Sequence, residues 1–429
     1  MFQGLAQSEL RALGVSGLPM VTIEHPLGGE RSEGVTRRAR QAVDQIARLL
    51  SGAQVVAKGE SGRPEPASSS VRPPSIQTGL TDRATIIPAT TTPDFITVTD
   101  SPEALLAAFC ERQWCDGLPI VPPTEDRVRA MLAGADRDRP LGVMPPLWRV
   151  ATLEKLAVNA VMAGCEPAAF PLIAAAVGAM LDPSFNLYGV QATTHSVAPL
   201  LIVHGPIAAE LGVHSGSGCF GPGFRANATI GRAIRLILLN VGGAWPGRHD
   251  MATQGSPAKF SYCIAERADS PWGPLHEDNV VTVFGGEPPH NVNDHVSTTA
   301  GGILATVADT AVSLGSNVGW YFSQSQILIV LGPEHARTIA DDGLSRADVQ
   351  RFVFEHARLP LRTLKLGGMW GIHDWPRWMH AVTDDEALLP QVPSPEDVIV
   401  IVAGGPGKHS SVVPNCTFSR AVSRPVQLL

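Results

Sequence analysis

The chain has 429 residues, of which 44% are hydrophobic and 17% are charged, a composition typical of folded globular proteins and not of disordered ones. Its formal net charge of −7 excludes the basic excess that binding to nucleic acid or to an anionic membrane requires. We therefore expect no nucleic-acid partner. No apolar run is long enough to cross a bilayer, so we also expect no membrane span.

The cysteines and the N-terminus predict where the protein works. Six cysteines occur without CxxC spacing, which indicates neither a zinc ribbon nor a disulfide framework. The first residues contain no basic patch followed by an apolar stretch, so they predict no secretory signal. We therefore expect a cytoplasmic protein.

Residues 8–52 predict a helix, a strand and a second helix. The strand runs from Leu18 to Glu24, and a Pro/Gly turn follows it. The second helix, about 31–50, has an apolar face at helical spacing, made of Val35, Ala39, Val43, Ile46 and Leu50. One strand with two short helices cannot bury both of its faces. Residues 1–52 therefore look like a small partial βα fragment, the end of a sheet domain whose earlier strands are missing.

Residues 53–95 are rich in Gly, Ser, Pro and Thr, a composition typical of an extended linker. A large domain, 96–429, follows. It opens with a helix after Ser101, whose hydroxyl is a predicted N-cap, and continues with a helix over 124–134 and an apolar helical hairpin over 152–181.

Three later segments share one layout, a short apolar strand followed by a Gly/Pro turn: 200–206, 327–333 and 398–406. Continuous β-branched runs favour strands that are covered on both faces. The predicted fold class is α/β, with a large mixed or mostly parallel sheet and covering helices, preceded by the partial βα fragment. In such sheets ligands bind where the strands end.

The segment 214–232 predicts an anion site. Its four glycines, at 216, 218, 221 and 223, allow close approach of the backbone to a ligand, and a helix over about 226–240 follows. Arg225 and Arg232 would add bidentate donors for a carboxylate or phosphate, with Asn227 beside them. The alternative is a loop that solves a packing problem while both arginines are solvated.

Cys219 lies in the same loop, near the start of that helix. A helix N-terminus lowers a thiol pKa and favours a nucleophilic or redox-active thiolate. The alternative is a small buried apolar side chain.

The segment 285–299 follows a predicted strand over 280–284 and is rich in acid/base and hydrogen-bonding groups: His290, Asn291, Asn293, Asp294 and His295. The histidines are candidate catalytic residues and the asparagines candidate substrate ligands. A metal bound by both histidines and a third one is the rival interpretation. The remaining alternative is a capping loop before a helix at 298–314, with Asp294 or Ser297 as N-cap.

Other candidates are more isolated in the sequence. His195 and His204 are further candidate bases near a strand. The glycine-rich tail at 404–411 predicts a backbone nest for a carboxylate, with Lys408 and His409 as ligands. Asp116, in a proline-rich turn, is a last candidate for substrate binding.

Residues 8–52 resemble the C-terminal end of the UGSC-motif (seleno)protein family, on Ala12-Leu13-Gly14-Val15, Leu18-Pro19-Met20-Val21 and His25-Pro26-Leu27-Gly28-Gly29. That family places a redox-type selenocysteine or cysteine in a loop that precedes this region. The chain does not contain that motif, so the resemblance implies no catalytic residue here. The remainder, with Asp116-Gly117-Leu118-Pro119 and the segment 225–232, is similar to large uncharacterised domains found beside such proteins.

These observations predict an enzyme that acts on a small anionic metabolite, and the resemblance implies sulfur-related redox or lyase chemistry. A metal-dependent lyase or hydrolase using His290 and His295 is one alternative. The other is a non-catalytic binding or scaffold subunit, whose thiol- or selenol-bearing protein partner completes the N-terminal fragment. We expect a homo-oligomer, and no particular cofactor is indicated.

Overall fold

The computed structural model describes residues 3–23, 32–50, 95–316, 325–367, 381–416 and 418–429. The chain divides into two compact units, Gly17–Asp100 and Met1–Ser16 together with Ser101–Leu429. The first helix, α1 (Gln3–Ala12), thus falls in the larger of these two units. Nearly all of the proposed linker lies outside the described residues.

The smaller unit contains the predicted second helix, α2 (Ser32–Leu50). The predicted strand from Leu18 to Glu24 is wrong for residues 18–23, which form no strand, while Glu24 lies outside the described residues. Leu18 is 59% exposed, and no described strand pairs with residues 18–23 to satisfy their backbone groups. The described part of the partial βα fragment is therefore helix and coil.

In the large unit, helices alternate with strands along the chain. The further helices are α3 (Pro102–Glu111), α4 (Glu125–Leu132), α5 (Leu153–Ala163), α6 (Phe170–Met180), α7 (Leu187–Ala192), α8 (Ile207–Glu210), α9 (Arg225–Ile237), α10 (Ala300–Ala311), α11 (Pro333–Asp341), α12 (Arg346–His356) and α13 (Leu361–Leu364). The strands are β1 (Pro140–Met144), β2 (Arg149–Thr152), β3 (Ala198–His204), β4 (Cys263–Ala265), β5 (Val280–Gly286), β6 (His290–Asn293), β7 (Ile327–Leu331), β8 (Arg358–Pro360), β9 (Leu388–Pro390), β10 (Val398–Val402), β11 (His409–Pro414) and β12 (Val422–Pro425).

In the described residues the strands build two mixed four-stranded sheets and two short two-stranded antiparallel sheets. One sheet has the order β12-β5-β3-β4, and the other has the order β10-β7-β11-β6. In the second sheet β7 and β10 are parallel, whereas β11 runs antiparallel to both β7 and β6. The predicted α/β class with a mixed sheet is confirmed, although two four-stranded sheets take the place of one large sheet.

The two sheets pack face to face, and helices cover both outer faces. Along β3, Leu200 and Ile202 lie in the core between the sheets, while Leu201 and Val203 lie in the core shared with α5, α6 and α9. The residues of β7 and β10 alternate in the same way between the inter-sheet core and the core shared with α10 and α12. This four-layer arrangement explains why the three apolar runs in the sequence are continuous, since both faces of each strand are buried.

Helix α10 begins at a different cap from the predicted one. Thr299 is its N-cap, and the Thr299 hydroxyl accepts a hydrogen bond from the N–H of Gly302. Asp294 instead accepts from the N–H groups of Val296 and Ser297, which makes a turn before the helix.

The search for membrane-spanning helices over the described residues gives one result. No single helix is long and apolar enough to cross a bilayer, although the bent pair Pro167–Met180 and Pro183–Ala192 together reach the required length and composition.

Candidate active site at one edge of the second sheet

Strands β6, β7 and β10 run in one direction, so their carboxyl ends share an edge of the second sheet. His295 lies two residues beyond β6, Gly332 follows β7, and Gly404 lies two residues beyond β10. His409 is the first residue of β11, which starts at this edge. Four loops or strand ends thus converge where ligands of α/β sheets commonly bind.

His295 and His409 form the centre of this edge. Their Nε2 atoms are 3.1 Å apart, and the two exposed rings meet edge to face with centroids 4.9 Å apart. His409 Nδ1 lies 2.9 Å from Asn291 Oδ1. Since a carbonyl oxygen only accepts, His409 donates from Nδ1 and, when neutral, keeps a lone pair on Nε2. The Nε2 of His295 can then donate to that lone pair, so one N–H···N hydrogen bond can link the two imidazoles.

Strand register explains which predicted residues meet here. His409 pairs with Asn293, and Ser411 pairs with Asn291, so both asparagines and His409 belong to one face of the sheet. His290 is at the opposite end of β6, paired with Val412. His290 and His295 are therefore not adjacent, and the histidine that joins His295 is His409.

The glycine-rich tail borders the histidine pair. Lys408 Nζ lies 3.4 Å from the carbonyl oxygen of His295, which places an ammonium beside the two imidazoles. The N–H of Gly407 donates to Glu334 Oε1 at 2.7 Å, at the first turn of α11. A cation, two imidazoles and a carboxylate thus lie along one edge.

The two predicted glycine-rich segments also touch each other. The N–H of Gly404 donates to the carbonyl of Ser215 at 2.8 Å. A Cβ on Gly405 would lie 1.7 Å from Ser217 Oγ, so only glycine fits at this contact. The loop of residues 214–224 and the tail of residues 404–409 therefore form one continuous border of the edge.

Asn227, in α9, and Cys219, in the 214–224 loop, are both buried. Asn227 Oδ1 accepts from the N–H of His214 at 2.7 Å, and its Nδ2 donates to the carbonyls of His214 and Cys219. Burial raises the pKa of the Cys219 thiol. Asn227 thus fixes the loop conformation, and Cys219 lacks the lowered pKa expected of a nucleophile.

Arg232 and Asp116, both predicted ligand residues, bind each other. The guanidinium donates to both carboxylate oxygens at 2.8 Å and also to the carbonyls of Leu118 and Pro119. Arg225 pairs with Glu166 at 2.7 Å, and both of these side chains are 65% exposed. Anion binding by the two arginines stays a prediction. The guanidinium of Arg232 already donates hydrogen bonds to Asp116 and to two backbone carbonyls.

Two other predicted histidines lie apart from the edge. His195 Nε2 is 2.9 Å from Glu287 Oε1 in a partly exposed pair. His204 is fully buried between Glu266 Oε2, at 2.7 Å from its Nδ1, and Thr282 Oγ1, at 2.9 Å from its Nε2. His204 is thus a satisfied core histidine, whereas His195 keeps the geometry of an acid/base pair.

Sequence reasoning missed the carboxylates that contact these groups: Glu166, Glu266, Glu287 and Glu334. Each lies far along the chain from its partner, for example 92 residues for Glu287 and His195, so no local pattern could reveal it. In the described part of the chain, no group of three or more His, Cys, Asp or Glu residues is placed to hold a metal ion.

Comparison with known proteins supports the N-terminal resemblance. Residues 1–52 match the model of the UGSC family. The chain has no significant match to a curated protein or to a solved structure.

Proposed function

We propose that this chain is an enzyme that binds a small carboxylate- or phosphate-bearing metabolite at the edge of the second sheet and transfers a proton through His295 and His409. The 3.1 Å separation of the two Nε2 atoms is the observation that carries the proposal. One imidazole acts as base and its neighbour as acid, which is the pairing that proton abstraction and return, as in a lyase, requires.

The surroundings support this proposal. Asn291 fixes the tautomer of His409, as an orienting group does in other acid/base sites. The ammonium of Lys408 attracts the anionic group of the substrate. Burial raises the pKa of the Cys219 thiol, which disfavours the thiolate; the chemistry proposed is therefore proton transfer rather than thiol redox.

Calorimetric titration of the full chain with inorganic phosphate and with succinate tests the binding step. We expect saturable binding that weakens about 10- to 150-fold in Lys408→Ala, since a charge-assisted contact contributes about 1.5–3 kcal/mol. Arg225→Ala is the matched control, because it removes an exposed cation from the other glycine-rich segment. If Arg225→Ala abolished binding and Lys408→Ala left it unchanged, the site would lie on the 214–232 loop.

A binding or scaffold subunit is the second candidate, and the surface of α2 favours it. The apolar stripe predicted for this helix is exposed in the described residues, with Val43 at 61% and Leu50 at 83%. Exposed stripes of this kind often mark surfaces that bind another protein. The partner would be a polypeptide with a UGSC-type thiol loop, as the match over residues 1–52 suggests.

Native mass spectrometry of the gently purified chain tests this second candidate. A retained protein partner that is lost in Val43→Asp would support it. Arg37→Asp, a charge change on the same helix outside the stripe, is the control. Full-chain protein with no partner before or after the substitution would contradict it.

A further inference from the structure

Two cysteines lie side by side at the end of α3. The Sγ atoms of Cys110 and Cys115 are 3.4 Å apart, within hydrogen-bond distance for sulfur, and no disulfide joins them. Cys110 is exposed, whereas Cys115 is 3% exposed. The other four cysteines of the chain are buried: Cys165, Cys219, Cys263 and Cys416.

A chain reversal brings the two thiols together. The N–H of Gln113 donates to the carbonyl of Cys110 at 3.0 Å, and the N–H of Trp114 donates to the carbonyl of Phe109 at 2.9 Å. Gln113 has a φ of +56°, the left-handed conformation that ends a helix and turns the chain back. Cys115 therefore returns to the last turn of α3, where Cys110 is located.

We propose that Cys110 and Cys115 are a reversible redox site that a low-molecular-weight disulfide oxidises. The Cys110 thiolate attacks one sulfur of the small disulfide, which forms a mixed disulfide and releases one thiol. The Cys115 thiol then loses its proton and attacks the Cys110 sulfur, which releases the second small thiol. Two protein thiols lose two electrons and two protons, and the small disulfide gains them as two thiols.

Accessibility assigns the two roles. An external disulfide can reach exposed Cys110 but not buried Cys115, so Cys110 attacks and Cys115 resolves. Closure requires the sulfurs to approach from 3.4 Å to about 2.05 Å, a shift of about 1.4 Å. Burial raises the pKa of Cys115, so Cys115 is the less reactive thiol toward an external disulfide, as the resolving role requires.

The neighbourhood provides a spectroscopic reporter and a structural consequence. Trp114 lies between the cysteines in sequence and packs edge to face on Phe109, with ring centroids 5.6 Å apart. Asp116, the next residue after Cys115, pairs with Arg232 on α9. A Cys110–Cys115 bond therefore ties the end of α3 to the turn that anchors α9.

Oxidised glutathione added to the full-length protein tests the proposal. We expect the number of titratable thiols in the denatured protein to fall from six to four, with a mass loss of about 2 Da, as for one new disulfide. Peptide mapping should place the bond between Cys110 and Cys115. The tryptophan fluorescence should change as well, and because the chain has eight tryptophans, Trp114→Phe should remove this change. Cys165→Ser, the buried-thiol control, should lose the same two thiols.

The variants separate the two steps. Cys115→Ser should retain one glutathione on Cys110, because no resolving thiol is present, and Cys110→Ser should not react. A stable glutathione adduct on Cys110 in the wild-type protein, or an unchanged thiol count, would overturn the proposal. The wild-type peptide map answers the question even if Cys115→Ser fails to fold.

Discussion

Asp116 and Arg232 form a bidentate ion pair that ties the turn after α3 to the middle of α9. Arg232 Nε lies 2.8 Å from Asp116 Oδ2, and Nη2 lies 2.8 Å from Oδ1. The side chain of Arg232 is 14% exposed and that of Asp116 is 5% exposed. The sequence predicts that both residues bind a ligand, and in the structure they bind each other.

Because the Asp116–Arg232 pair is buried, we expect a substitution that breaks it to lower the free energy of unfolding strongly. Asp116→Ala leaves the guanidinium of Arg232 buried without its carboxylate, which should cost about 3 kcal/mol in the free energy of unfolding. Urea denaturation measures it. The control is Glu166→Ala, which breaks the exposed pair with Arg225 on the same helix and should cost less than about 1 kcal/mol. Equal losses in the two variants would contradict the difference in burial.

Alkylation by iodoacetamide at pH 7 should distinguish the cysteines. Burial raises the pKa of Cys219, so its thiol should stay unmodified until the protein unfolds. Cys110, whose side chain is exposed, should react in the folded protein. Peptide mapping reads both outcomes, and rapid labelling of Cys219 in the native state would restore it as a candidate nucleophile.

Asp294 should make stability fall in acid. Burial alone would raise the pKa of this carboxyl, but hydrogen bonds from Ser297, Thr306 and Val296 outweigh it and lower the pKa to about 2. A lowered pKa stabilises the fold above pH 4, and this contribution is lost as the pH falls from about 4 to 2. Its size is about 2 kcal/mol. The stability difference between the wild-type protein and Asp294→Asn should therefore shrink over that window, and a constant difference would contradict the lowered pKa.

Gly405 should not tolerate a methyl group. Gly405→Ala places a Cβ 1.7 Å from Ser217 Oγ, so the two glycine-rich segments must separate, at a cost of about 1–3 kcal/mol. Ser217→Gly in the same chain should recover part of that loss. Gly301→Ala, in α10, is the control, since no atom lies near its Cβ and alanine favours a helix. Thermal unfolding compares them, and a Gly405→Ala variant as stable as Gly301→Ala would exclude the close contact.

The sequence was sufficient to predict those strands and helices that short, continuous residue patterns specify. The apolar runs at β3, β7 and β10 have no polar face, so they predicted strands covered on both sides, and these strands are buried on both sides. The strand predicted from Leu18 failed because a strand needs a partner, and no described segment pairs with residues 18–23.

The candidate site could be predicted only in pieces. His295, Asn291, Lys408 and His409 were each recognised as polar residues at strand ends, but their meeting depends on β11 pairing with β6 across more than 100 residues. The sequence also did not reveal the pairing of Cys110 with Cys115, because the two thiols meet through the left-handed turn at Gln113. Residue spacing alone does not reveal a turn of that kind.

The measurement that tests the central claim most directly is mass spectrometry of a metabolite extract incubated with the full chain. The wild-type protein and His290→Gln should convert the same anionic metabolite, since His290 lies at the other end of β6. His295→Gln and His409→Gln should convert it at least about 100-fold more slowly, the contribution expected of an acid/base group. An extract unchanged by the wild-type protein, or equal conversion by all four proteins, would contradict an active site at His295 and His409.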